Sequence, residues 1–222
     1  LKQLICRMAA EVQPRKEDPG LLRIPIDRVF TIGGFGTVIT GTLTEGSISV
    51  GDEVQIYPGE RTAKVRSLQV HGHMVDTAFA GQRTAVNLMN LKKEDLGRGN
   101  VLAAKGSLRQ TMMLDVRIRM FDDARRVLQN DSRVHLYYGS AEALCKVVLL
   151  DRETLESGSE GYAQLRLEEP VAVRKGDRFV IRFYSPVETI GGGEILDPAP
   201  PRHKRFRTEI LDGLRVKQGE LP

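Results

Sequence analysis

Few residues in this chain combine chemistry-bearing types with useful spacing. Asp27 and Arg28 are the most conspicuous, an acid and a base side by side inside Ile24-Pro25-Ile26-Asp27-Arg28-Val29-Phe30-Thr31-Ile32, where nearly every neighbour is apolar or β-branched. On residue types alone the pair reads as an ion pair on a sheet rim. His71-Gly72-His73 would put two imidazoles on one face of a strand, because side chains alternate with period two. Two ligands without a third partner do not make a zinc site, and an exposed strand end is expected. His135 and His203 stand alone, with strand packing and tail solvation as their expected roles.

Gly33-Gly34-Phe35-Gly36 and Gly191-Gly192-Gly193 invite comparison with phosphate-binding loops. Such loops need a helix start after the glycines, whose free N–H groups and dipole hold the anion. Strand-like residues follow instead, so turns or bulges are expected, and no Gly-x-x-x-x-Gly-Lys-Ser/Thr run occurs. Cys6 and Cys145 are too few for a disulfide framework and have no metal-ligand spacing, and neither has a basic neighbour pattern that would lower a thiol pKa. No Gly-x-Ser-x-Gly elbow is present. Glu168-Glu169 and Asp122-Asp123 are expected near strand ends or turns as solvated acids, with Asp122-Asp123-Ala124-Arg125-Arg126 an exposed loop. No catalytic residue and no metal ligand set emerges.

The elements that must position Asp27 and Arg28 are strands. From Leu21 onward, short β-branched and aromatic runs alternate with Gly, Pro and Asp turns. Expected strands cover 22–32, 37–44, 53–57, 61–70, 82–89 and 100–103, then 111–120, 133–138, 143–150, 161–168, 178–184 and 193–196. Many short strands at regular spacing indicate antiparallel barrels or sandwiches. Val50-Gly51-Asp52 and Lys175-Gly176-Asp177 each read as a Gly-Asp turn entering an alternating strand. Residues 1–12 have helical apolar spacing, ended near Pro14 and followed by a loop at Glu17-Asp18-Pro19-Gly20. Helical spacing returns over 204–216.

At 222 residues, 41% hydrophobic and 28% charged, the composition is that of a soluble globular protein of one or two domains. No apolar run approaches the roughly 20 residues that span a bilayer, and no signal peptide is evident. A reducing cytoplasm fits. The formal charge of +4 equals that of residues 202–217 alone, so the remainder sums to zero. The body is therefore not a uniformly basic nucleic-acid binder, while the tail would favour a phosphate backbone or form a solvated linker helix.

Four stretches carry a family resemblance. Ile24-Pro25-Ile26-Asp27-Arg28-Val29-Phe30 followed by Gly36-Thr37-Val38-Ile39-Thr40-Gly41 resembles the opening of the second domain of translational GTPases, in the form found in bacterial selenocysteine-specific elongation factors. Ala80-Gly81-Gln82-Arg83-Thr84-Ala85-Val86-Asn87-Leu88, Glu188-Thr189-Ile190-Gly191-Gly192-Gly193-Glu194-Ile195-Leu196-Asp197-Pro198 and Arg202-His203-Lys204-Arg205 follow in the family's order.

The resemblance implies an all-β chain of two antiparallel barrels with short flanking helices. Residues 1–20 would be the remnant of the last GTPase-domain helix and its linker. Residues 21–107 would be elongation-factor domain II, residues 108–200 domain III, and residues 201–222 the linker into a C-terminal RNA-binding region. It implies that Asp27, Arg28 and Arg83 line the pocket for the aminoacyl end of selenocysteinyl-tRNA. A selenol is an anion at neutral pH, and guanidiniums stay charged there. Partners implied are selenocysteinyl-tRNA, the ribosome, the chain's own GTPase domain, and the selenocysteine-insertion mRNA hairpin through a further C-terminal domain, with no membrane. No cofactor is expected on these barrels. GTP and Mg²⁺ are expected on a GTPase domain outside this sequence, so these barrels would bind without catalysing. Two other readings stay open: the paired barrels of another translational GTPase, and a protein-docking module.

Overall fold

A computed structural model describes residues 1–11, 21–34 and 36–219. The expected helix end near Pro14, the loop at Glu17-Asp18-Pro19-Gly20 and Phe35 of the glycine turn lie outside the described residues. The chain forms two closed six-stranded antiparallel barrels with a short helix near each end.

The first barrel contains β1 (Leu22–Ile32), β2 (Gly36–Thr42), β3 (Glu45–Ser49), β4 (Glu53–Tyr57), β5 (Arg61–Val70), β6 (His73–Val75), β7 (Thr77–Phe79), β8 (Arg83–Met89) and β9 (Val101–Ala104). Its ring runs β2-β8-β5-β4-β9-β1 and closes where β1 pairs with β2. β3 and β7 extend from β1, and β6 pairs with β5. Alternation decides which residues face in: Ile39, Leu68 and Val86 are fully buried, while Thr40, Gln69 and Ala85 face out. Burying each large aliphatic side chain contributes about 1.5–3 kcal/mol.

The second barrel contains β10 (Gln110–Met120), β11 (Leu128–Gln129), β12 (Arg133–Tyr138), β13 (Ala141–Leu149), β14 (Thr154–Leu155), β15 (Glu160–Ala172), β16 (Arg178–Phe183) and β17 (Thr189–Asp197), with ring order β10-β15-β13-β12-β16-β17. Leu114, Ile118, Leu136, Val147, Leu165 and Ile181 fill it. The three glycines of β17 have a packing reason. A Cβ on Gly193 would lie 1.9 Å from the Arg117 carbonyl oxygen, and one on Gly192 would lie 2.4 Å from that of Phe179. Backbone from both neighbouring strands fills the space a side chain would need. The two Gly-Asp turns share one design: Gly51 and Gly176 have φ of 95° and 88°. Asp52 accepts from the Ser49 N–H at 2.7 Å, as Asp177 does from that of Arg174 at 2.8 Å.

Several expectations needed correction. His71 and Gly72 have positive φ and form the turn between β5 and β6, so the two histidines do not share a strand face. Glu168 and Glu169 lie inside β15, not at its end. The short strands β6, β7, β11 and β14 carry too few residues for a period-two signal, and β3 (Glu45–Ser49) is not among the expected strands although its burial alternates. The first helix, α1 (Lys2–Glu11), buries no residue, and the second, α2 (Thr208–Gln218), starts four residues later than the spacing suggests. Residues 205 and 206 are instead pinned to the second barrel. The Arg205 guanidinium donates to the Leu149 and Arg152 carbonyls at 2.7 and 2.6 Å, and the Phe206 N–H to that of Leu150 at 2.7 Å.

His203 is also bound, not solvated. Its Nε2 lies 2.8 Å from Oδ2 of the fully buried Asp115, whose Oδ1 accepts from Gln164 Nε2 at 3.0 Å. Burial pushes the Asp115 carboxyl above its ordinary value of 3.8, with the bonds from Gln164 and His203 acting the other way. A raised folded-state pKa gives stability that is full below the unfolded value and lost as pH rises through the folded one. The contribution of this group is therefore expected to fall with rising pH, so the difference in unfolding free energy between the unaltered chain and Asp115→Asn, measured across the acid range, should decrease as pH rises.

The barrels meet along a mixed seam. Tyr57, Val101 and Ala103 of the first barrel pack with Leu108 and Ala172. Beside them Arg23, 6% exposed, donates Nη1 and Nη2 to the two carboxylate oxygens of Asp177, each at 2.6 Å, and Arg174 pairs with Glu45.

Candidate functional site

The sequence-predicted residues meet on the outer face of the first barrel, where β1, β2 and β8 lie side by side. β1 and β2 pair in register except between Ile26 and Arg28, where Asp27 is the extra residue of a β-bulge. A bulge turns its side chain out of the regular alternation. Asp27 uses that freedom to reach across β2: its carboxylate accepts from Thr40 Oγ1 at 2.9 Å and from Arg83 Nη1 and Nη2 at 2.5 and 3.0 Å. Arg83 is on β8, opposite Thr42 of β2, so one strand separates it from Asp27's own.

Burial alone would raise the Asp27 carboxyl, but the hydrogen bonds from Arg83 and Thr40 and the charges of Arg83 and Arg28 outweigh it and hold it below the usual range. Arg83 is pushed up by its bond to Asp27. Arg28 is exposed, and among the described residues its guanidinium makes no hydrogen bond or ion pair. The site thus holds one arginine oriented by a carboxylate and one available to an incoming anion.

Register extends the site beyond what the sequence marked. Arg28, Phe30 and Ile32 of β1 face out with Thr40 and Val38 of β2, with Ala85 and Asn87 of β8, and with Gln69 and Ser67 of β5. The polar end at Asp27, Thr40 and Arg83 therefore continues into a cavity of about 190 Å³ lined by Ile32, Val38, Leu68, Gln69, Met74 and Asn87. These residues come from five strands, scattered between positions 32 and 87, so no motif in the chain announces them.

The second barrel presents a different surface. Arg133, Lys146 and Arg166 oppose one another across β12, β13 and β15. Glu168 binds Arg133 through two bonds of 2.6 Å. Burial and the nearby Arg202 push the Arg166 guanidinium down, and its Nε is buried with no partner among the described residues. Like charges facing each other across strands destabilise a sheet unless an anion is shared between them. Among the described residues no group of three or more His, Cys, Asp or Glu comes together to hold a metal ion, and no helix is long and apolar enough to cross a membrane.

The chain matches known proteins. Residues 115–202 match the model of the selenocysteine-specific elongation factor β-barrel domain, and residues 36–103 that of elongation factor Tu domain 2. The selenocysteine-specific elongation factor of Desulfomicrobium baculatum is 39% identical over 99% of this chain, which covers 35% of that protein. Over its barrels the chain belongs to the selenocysteine-specific elongation factors. The family member from Haemophilus influenzae is 30% identical over 85% of the chain and 30% of its own length. A crystal structure of a bacterial selenocysteine-specific elongation factor superimposes with a TM-score of 0.77 at 27% identity, over 98% of this chain and 34% of the other. The chain thus spans about a third of these elongation factors. The matched span of the domain 2 model includes Thr40 and Arg83 and begins after Asp27 and Arg28.

Proposed function

We propose that the first barrel holds the aminoacyl end of selenocysteinyl-tRNA in the groove that starts at Asp27, Arg28 and Arg83. The observation that carries this reading is the division of labour between the two arginines. Arg83 is fixed by Asp27, while Arg28 is free beside it. A selenolate entering there meets a preset pair of positive charges, and Asp27 also faces the aminoacyl α-amino group. The adjoining apolar cavity suits the terminal nucleoside of the same ligand. Serine, neutral at the same position, gains much less from the guanidiniums.

The row of Arg133, Lys146, Arg166 and Arg202 on the second barrel supports contact with a nucleic-acid backbone, since phosphates would relieve the crowding of like charge. In this reading residues 21–107 and 108–200 serve as domains II and III of a factor that delivers selenocysteinyl-tRNA to the ribosome at UGA. Residues 1–20 would close a preceding GTPase domain, and 201–222 would lead to the part that reads the mRNA hairpin. GTP and Mg²⁺ would sit on the GTPase domain. The glycine run of β17 does not fit a nucleotide, because backbone of both neighbouring strands packs against it.

The experiment is side-by-side binding of selenocysteinyl-tRNA, seryl-tRNA and uncharged tRNA to this chain at low salt under reducing conditions. Preference for the selenocysteinyl form is expected. Equal binding of all three would leave backbone recognition alone, and binding of none would call for the same assay with a GTPase domain joined to this chain, where continued absence of binding favours a docking module.

A further inference from the structure

Strand β1 links the seam between the barrels to the proposed pocket within five residues. Arg23 is gripped by Asp177 of the second barrel. Pro25 lies against Gly139, where an added Cβ would sit 3.4 Å from the proline ring. The Ile26 carbonyl accepts from the Gly99 N–H at 3.0 Å and from the Ser140 hydroxyl at 2.8 Å. The next residue is Asp27, at the bulge. Ser140 belongs to the two-residue turn between β12 and β13, so a residue of the second barrel holds the peptide group from which Asp27 departs. The turn itself has little room to shift. A Cβ on Gly99 would come within 3.0 Å of Ala141, and Arg98 Nε donates to the Ser140 carbonyl at 3.3 Å.

We infer that Ser140 is a positioning residue for the Asp27–Arg83 pair, and that through it the second barrel sets the geometry of the pocket on the first. A bulged residue lies outside the ladder, so its direction depends on how the flanking peptides are held. Ser140 does not touch the ligand in this scheme. It fixes the Ile26 carbonyl, the carbonyl fixes the bulge, and the bulge aims the Asp27 carboxylate at Thr40 and Arg83. The inference rests on the reading of Asp27, Arg28 and Arg83 as the aminoacyl pocket for its functional consequence, but its geometry stands apart from that reading.

The test uses both levels. The Asp27 carboxyl is followed by carbon-13 NMR across the acid range in the unaltered chain, Ser140→Ala, Ser140→Thr and Ser140→Cys. The groups that face Asp27 are Arg83, Arg28 and the Thr40 hydroxyl, and none of them is altered. Ser140→Ala is expected to move the Asp27 titration up toward the ordinary aspartate value, Ser140→Thr to keep it low, and Ser140→Cys, a weaker donor, to fall between. In parallel, the preference for selenocysteinyl-tRNA over uncharged tRNA should drop about threefold to tenfold in Ser140→Ala, the range set by one hydrogen bond. An unmoved Asp27 titration in both Ser140→Ala and Ser140→Cys would overturn the inference. A moved titration beside a tRNA preference that even Asp27→Ala leaves intact would uphold the positioning role and sink the pocket reading instead.

Discussion

Replacing Arg83 with alanine is expected to weaken binding of selenocysteinyl-tRNA about ten- to hundredfold, the range of one charge-assisted contact, and that of seryl-tRNA far less. The reason lies in how the arginine is held. Its two terminal nitrogens bind both oxygens of Asp27, so its charge is presented in one orientation. Without it, Asp27 keeps only Thr40 as a hydrogen-bond donor and the nearby charge of Arg28, and an uncompensated carboxylate then repels the selenolate. Arg28→Ala should show the same bias by a different route, removing the free charge while leaving Asp27 and Arg83 paired. Filter binding or fluorescence titration with matched selenocysteinyl- and seryl-tRNA reads both. Equal losses for the two tRNAs would remove the selenolate role from these residues.

A second large effect is expected at the seam. Asp177→Asn should lower the stability of the chain by about 3 kcal/mol, measured by denaturant unfolding. The substitution keeps an oxygen for the Arg174 N–H of the turn but removes the charge facing Arg23. Arg23 is almost wholly buried, its Nε already has no partner among the described residues, and Glu45 is a more distant neighbour at 3.4 Å. Burial disfavours the charged guanidinium there, and Asp177 and Glu45 are what overcome that cost. Glu45→Gln, which leaves the two short bonds to Asp177 intact, should cost clearly less. A loss below about 1 kcal/mol for Asp177→Asn, the scale of an exposed pair, would mean that the seam is wetter than its geometry indicates.

The sequence by itself determined the architecture. Alternation in the long strands, with turns set by Gly, Asp and Pro, is a local signal that marks antiparallel barrels or sandwiches, and the family resemblance narrows it to two barrels. The Gly-Asp turns could be read in the chain because three or four residues close their hydrogen bonds. Asp27 and Arg28 stood out because a charged pair in an apolar strand breaks the pattern. Only the tertiary structure decided what the pattern cannot encode. Ring closure brought Arg83 to Asp27 across β2, and a one-residue bulge turned the carboxylate toward it. Register carried the groove on to Ile32, Val38 and Met74. His203 looked solvated because nothing nearby in sequence binds it, yet folding sets it against Asp115, eighty-eight positions earlier. Arg133, Lys146 and Arg166 are strangers in the chain and neighbours in the sheet. A local period fixes which way each side chain points, but which side chains then meet depends on strand order, register and the packing of one barrel on the other.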